Sequence, residues 1–472
     1  MKMTGSRFNP TLGYLANQAI TINRACGRRT WVEKDWGDKG ELDLRLIDRR
    51  EQWPKTAGKK QMRCHCHSSP KETRAMKFSS TTWSTMVVVL VGFLASSAFG
   101  GEPTAPIQVG ASFNLNGRKG TVTKLDSLPL VENKSVKGFK FDSHKNPKLK
   151  ELREHYNLDE IVSPGKDEFD RQVLLLDWVN HQFKKFGRPT ANPRGAVEIL
   201  RDIEAGHTFF CAQYADVLVS AAASMGWIDR SLALRRPDSM GEGSTEHSST
   251  EIWSNQFRKW VMFDPTFAMY VEKDGLPLSA YELRQEWFYH DGKDVIFVLG
   301  KDRKKYRKAD MPVFRKRFEG FGDLSLDPSA LNVYAFIGYI PNTDLMDTGP
   351  DYGRMFIWQD KICAGTSWHK RDVPANLAED CYFPIGQAAI TLAADGKQLS
   401  IRLKTLTPNF KSFLVRVEGG KWIPSGDTVA WEVHAGKNRL EAKTVNLFGV
   451  EGPISSAEVE IDSDSAAARD GT

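Results

Sequence analysis

Three residues of this 472-residue sequence have the types and order that nucleophilic acyl chemistry requires: Cys211, His247 and Asp264. A thiolate attacks carbonyl carbon readily once its charge is stabilised, an imidazole can move the proton, and a carboxylate can hold that imidazole in one orientation. Each has an ordinary explanation by itself. A lone cysteine is commonly a core residue, a lone histidine a surface one, and Asp264-Pro265 a turn start. The chemistry therefore depends on whether three separate elements converge.

The elements can be read from periodicity. Ala215, Leu218, Ala222 and Met225 follow Cys211 on one face at helical spacing, and Gly226 ends the run. Cys211 thus sits at a helix N-terminus, where the dipole and free amides favour a thiolate and could hold a developing oxyanion. His247 opens a strand-like segment through Ile252 and Trp253, after the stretch Asp238 to Glu246. A second strand, Lys259 to Phe263, leads into Asp264, with a hairpin around Ser254 to Phe257. A loop of four or six residues sets positions 247 and 264 opposite one another on the same face, and a loop of five separates them. Upstream, an amphipathic helix begins near Asp167, carries Phe169, Val173, Leu176, Val179 and Phe183, and meets a stop at Gly187. A shorter helix covers Ala196 to Ile203.

In order and spacing, Cys211 with Ala215, the Gly226-Trp227-Ile228-Asp229-Arg230 stretch, His247 with Glu251, and Trp260-Val261-Met262-Phe263-Asp264-Pro265-Thr266 resemble the transglutaminase-like superfamily over roughly residues 165 to 270. Many members carry Gly two positions before the cysteine and an aromatic two after the histidine, where this chain has Phe209 and Ser249. The resemblance implies an α+β fold: a papain/transglutaminase-like core followed by a C-terminal immunoglobulin-like β-sandwich. It also implies an exported, bacterial-type enzyme in which Cys211 is the nucleophile, His247 the proton carrier and Asp264 its orienter. The implied reaction is acyl transfer on a peptide or related amide through a thioester. Hydrolysis, as in a cysteine protease or amidase, is the leading form, and cross-linking to an amine the other. The alternative class is a non-catalytic exported binding protein on the same scaffold. No cofactor or metal is expected, and Gly275 to Glu286 lines or covers the cleft by position.

Charge and hydropathy place this core in an exported chain. The formal charge is +6, but residues 1–75 hold 16 Lys/Arg against 8 Asp/Glu. With Lys77 also set aside, residues 101–472 carry 48 basic and 51 acidic side chains. A slightly acidic body without a G-x-x-x-x-G-K-[ST] loop gives no support to nucleic-acid or nucleotide binding. Met76-Lys77, the apolar run Met86 to Ala95 and Ala98-Phe99-Gly100 have the make-up of a signal peptide. That run is too short to span a bilayer as a helix. The expectation is a periplasmic or extracellular protein without stable membrane insertion, an uncleaved anchor being the lesser alternative.

The divisions that follow are 1–75, a spurious upstream extension; 76–100, signal peptide; 101–164, a lead-in of loops and short strands; 165–300, catalytic core; 301–385, a linking region; 386–462, β-sandwich; and 463–472, a disordered tail. The sandwich rests on alternating strands at Leu399/Ile401/Leu403, Phe413/Val415/Val417, Trp431/Val433 and Leu440/Ala442, with turns at Asp395-Gly396, Gly419-Gly420 and Gly436. It would serve polysaccharide or protein contact. Cys363 and Cys381 flank a turn-rich stretch and are candidates for a disulfide, leaving Cys211 as the odd thiol. Cys64-His65-Cys66-His67 lacks paired zinc spacing, His290-Asp291 reads as a polar turn, and the basic run Lys301 to Lys308 as solvated surface.

Overall fold

The helix expected from Asp167 forms over Glu168–Gln182, its start capped by the Asp167 carboxylate, which accepts the Asp170 N–H at 2.8 Å. Phe169, Val173, Leu176 and Val179 are buried along one face. The helix ends before Gly187 because Phe183 leaves helical geometry (φ −84°, ψ 98°). Its ring instead stacks on Tyr214 with centroids 3.6 Å apart, an aromatic contact that a further helical turn would forfeit.

These elements belong to a computed structural model that describes residues 106–463, apart from short stretches at 193, 238–239, 241–245, 320–321, 327, 349–352 and 364–366. It also gives a separate antiparallel meander of Ile20–Asn23, Arg29–Trp36 and Leu42–Ile47. The signal-peptide, Cys64-to-His67 and C-terminal-tail readings lie outside the described residues. No helix among those described is long and apolar enough to cross a membrane.

Helices and sheets are mixed throughout. The helix Cys211–Ser224 is buried on nearly all sides, packed by Pro147–His155, Glu168–Gln182 and Ala196–Glu204 and lying against a ten-stranded sheet. From one edge that sheet runs Lys304–Arg307, Ile296–Leu299, Met269–Lys273, Lys259–Asp264, Glu246–Ser254, Asp229–Arg235, Phe336–Tyr339, Phe356–Trp358 and Val373–Ala375, with Leu276–Pro277 pairing beside Met269–Lys273. Both faces are covered. Ile252, Val261, Phe263 and Tyr270 join the helical core, and Met262, Met269, Val271 and Ile337 join a second core with Leu283 and Trp287 of the helix Ala280–Tyr289. Two buried faces explain why Lys259–Asp264 and Ile296–Leu299 carry apolar residues at consecutive positions. Four strands of the sheet come from residues 301–385.

The basic run forms the edge strand, where charged side chains discourage pairing with another chain. Several of its cations are partnered, Arg303 with Asp170, Lys305 with Glu272 and Lys308 with Asp291.

Two antiparallel sheets fill the C-terminal part. One is Ala389–Ala394, Leu399–Lys404 and Thr428–Trp431, and the other joins Ile423–Ser425, Phe410–Val417, Gly436–Asn446 and Ser455–Ile461. Ile401, Leu403, Phe413, Leu440 and Val459 share one core. Strands from the lead-in, Arg118–Asp126 and Ser112–Leu115, complete the second sheet, Arg118–Asp126 pairing with Ser455–Ile461. Val417 is exposed and the strand at Trp431 stops before Val433, so the alternation seen in the sequence holds over shorter spans than it suggested.

The disulfide expectation is overturned, since Cys363 and Cys381 are both free and buried. Each belongs to a different buried arginine. The Cys363 thiol donates to the Trp358 carbonyl at 2.9 Å beside Arg284, and the Cys381 carbonyl accepts from Arg230. Burial drives the Cys381 thiol up to about 12, which keeps it protonated and poorly nucleophilic. Both should take up alkylating reagent in denaturant without prior reduction, read by peptide mass. An unlabelled, linked pair would contradict this arrangement.

Candidate active site

Cys211 is the first residue of its helix, half-buried and free. Phe210 occupies the N-cap position in extended geometry (φ −116°, ψ −172°) and makes no side-chain cap, while its carbonyl accepts the Gln213 N–H at 3.0 Å. The approach to the helix is clamped from behind. Phe209 is fully buried and bridges Phe186, and its carbonyl accepts the Gly187 N–H at 2.9 Å. This phenylalanine thus fixes the direction from which the chain enters the helix.

His247 and Asp264 lie at the same end of two adjacent antiparallel strands, His247 second in Glu246–Ser254 and Asp264 last in Lys259–Asp264. The hairpin closes with Ser254 opposite Lys259, a four-residue loop one position later than the sequence reading placed it. The register therefore differs from the expectation in one respect. Phe263 pairs with Thr250, which carries Asp264 to the level of Ser249, so the two functional residues are diagonal neighbours rather than directly opposite. An even loop still keeps them on one face. His247 Nε2 and Asp264 Oδ2 are 2.8 Å apart.

The carboxylate is pinned. Its Oδ1 accepts the Thr266 N–H at 2.9 Å, and Asp264 is 2% exposed. Ser249 donates to the Phe263 carbonyl at 2.9 Å and accepts from the buried Tyr334 hydroxyl at 3.4 Å. Phe267 lies beside the imidazole, ring centroids 6.3 Å apart.

Nε2 faces Asp264, and Cys211 lies near enough to the imidazole to act on its charge. Burial pulls the imidazolium pKa down, but the Asp264 charge, its hydrogen bond and the adjacent Cys211 together outweigh it and hold His247 at about 10. The ring is thus positively charged at neutral pH. Because this lies above the unfolded value of about 6.5, the pair contributes stability that is fully present below pH ~6.5 and is lost as pH rises toward ~10. Asp264→Asn should lower the pH at which His247 deprotonates, since burial then acts against a weaker partner. The ring-carbon NMR signal, assigned with His247→Ala, measures this, and an unmoved titration would contradict the pairing.

All three sequence-assigned residues, Cys211, His247 and Asp264, are therefore brought together. Glu251, four residues after His247, plays a different part. It is buried against Arg230, with Arg230 Nε to Oε2 at 2.7 Å, while its Oε1 accepts from the Ala280 N–H at 2.8 Å and the Tyr382 hydroxyl at 2.9 Å. Gly275 to Glu286 adds Leu278, Ala280 and Leu283 to the second core and supplies that Ala280 amide. His290 faces Glu286 at 3.3 Å and Asp291 is paired with Lys308. Asn180 and Tyr334 escaped the sequence reading, and Thr266 entered it without a role of its own. Only Thr266 had a signal, through the Asp-Pro-Thr turn.

No family model matches the chain, and no curated protein matches it. Among solved structures, the transglutaminase of red sea bream is similar over 62% of this chain and 68% of that one, with 11% identity and a TM-score of 0.18.

Proposed function

We propose that this protein is an exported thiol-dependent acyl-transfer enzyme acting on peptide or related amides, with water as the main acceptor. The observation that carries the reading is His247 set between Asp264, 2.8 Å from Nε2, and the Cys211 thiol at a helix start. A bound amide presents its carbonyl carbon to the Cys211 sulfur. The C–S bond forms as the carbonyl electrons move to oxygen, where first-turn amides stabilise the charge. Collapse breaks the C–N bond, and the imidazolium gives its proton to the departing amine. Water then attacks the thioester, His247 takes its proton, and the C–S bond breaks to release the acid and restore the thiolate–imidazolium pair. An amine in place of water gives a new amide by the same steps.

The test is intact mass of the protein after incubation with glutamine-containing peptides and small peptide amides, followed by product analysis with and without added amine. A Cys211 acyl adduct, absent from Cys211→Ala, is expected. Failure with every donor, together with slow iodoacetamide labelling of Cys211, would instead favour a binding protein on this scaffold.

A further inference from the structure

The turn that carries the candidate acid is held from outside the hairpin. Asn180 lies near the C-terminal end of Glu168–Gln182, and its side-chain nitrogen donates to two carbonyls, Pro265 O at 2.9 Å and Thr266 O at 2.7 Å. Only the amide NH2 can serve two acceptors this way, which fixes the orientation of the group. Pro265 has no N–H, and the Thr266 N–H is already committed to Asp264 Oδ1 at 2.9 Å. The helix itself is anchored by its buried face, and one turn earlier Asp177 Oδ1 accepts the Lys301 N–H at 3.0 Å.

We infer that Asn180 is a positioning residue for the acyl-transfer site, acting through the Pro265-Thr266 peptides to hold Asp264 against His247. The inference rests on the reading of Cys211, His247 and Asp264 given above. A swing of the turn about its own backbone would carry Oδ2 away from Nε2. Asn180 opposes that swing by tying both peptide units after Asp264 to a rigid helix. Its part resembles that of groups which orient a ligand or base without touching the reactant, whose loss typically costs 10–100-fold in activity. Asp cannot substitute, because a carboxylate has no hydrogen to give the two carbonyls and would add negative charge beside Asp264.

The test compares wild type, Asn180→Ala, Asp264→Asn and the double variant by three readouts: melting temperature, the pH at which His247 loses its proton, and the rate of iodoacetamide reaction at Cys211 near pH ~6. Asn180→Ala should lower the His247 transition from about 10 and slow labelling by roughly 10-fold or more. Added to Asp264→Asn it should change neither readout further, because the two substitutions break one chain of contacts. A merely structural asparagine would lower the melting temperature while leaving the His247 transition and the labelling rate in place, and that result overturns the role. A wild type whose Cys211 is inert at every pH overturns the underlying reading and the role with it. A reactive wild type with an unmoved Asn180→Ala titration overturns the role alone.

Discussion

Cys211→Ala and His247→Ala should each lower kcat/KM toward an amide donor by about 10^4-fold or more, and the double variant should be scarcely worse than either. The reason is that the two side chains act as one unit. Without the sulfur there is no covalent intermediate, and without the imidazole the thiol loses both its charge partner and the proton for the leaving amine. His247 lies 2.8 Å from Asp264 and is acted on by Cys211, so its loss removes the group that joins the two. Cys211 is only half-buried, so the alanine variant should fold normally. Steady-state kinetics with far-ultraviolet circular dichroism checks both halves. Additive losses in the double variant would mean that the two residues serve different steps.

The largest stability effect should come from Arg230→Met, at about 3–5 kcal/mol in chemical denaturation, the range for stranding a buried charge. Arg230 is fully buried with Glu251 and lies over Trp260 at 4.2 Å, Tyr339 at 4.6 Å and Tyr382 at 4.8 Å. Removing the guanidinium leaves the Glu251 carboxylate among aromatic rings with only the Ala280 amide and the Tyr382 hydroxyl for company. Arg230→Met combined with Glu251→Gln should cost less than Arg230→Met alone, because the stranded charge is gone. A single-variant loss under ~1 kcal/mol would show that the carboxylate simply takes up a proton. Glu251 shares the strand of His247, so unrepaired strain here should also slow the chemistry.

Much of the site was legible because its signals are local. The apolar period after Cys211 marks a helix start, and the parity of a hairpin loop decides whether residues 247 and 264 share a face. What the sequence could not show is non-local. The one-position shift of the loop turned direct opposition into a diagonal, and no propensity distinguishes Trp253 from Ser254 as the last paired residue. Asn180 is a polar residue in a helix read from its apolar period, and its two carbonyl contacts exist only once the helix packs against the Asp-Pro-Thr turn. Likewise Cys363 and Cys381 looked pairable by sequence distance, yet the Cys363 thiol meets Arg284 and the Cys381 carbonyl meets Arg230. The C-terminal alternation was visible, whereas the pairing of Ser455–Ile461 with Arg118–Asp126 was not, because register between distant segments leaves no local trace.

That last pairing governs the order in which the polypeptide can finish folding. Arg118–Asp126 leaves the ribosome early but has no neighbour on one side until Ser455–Ile461 emerges. Products that stop short of that segment would keep an open, adhesive strand and be drawn into aggregates or degraded. The connectivity thus ties completion of that sheet to a segment near Ile461.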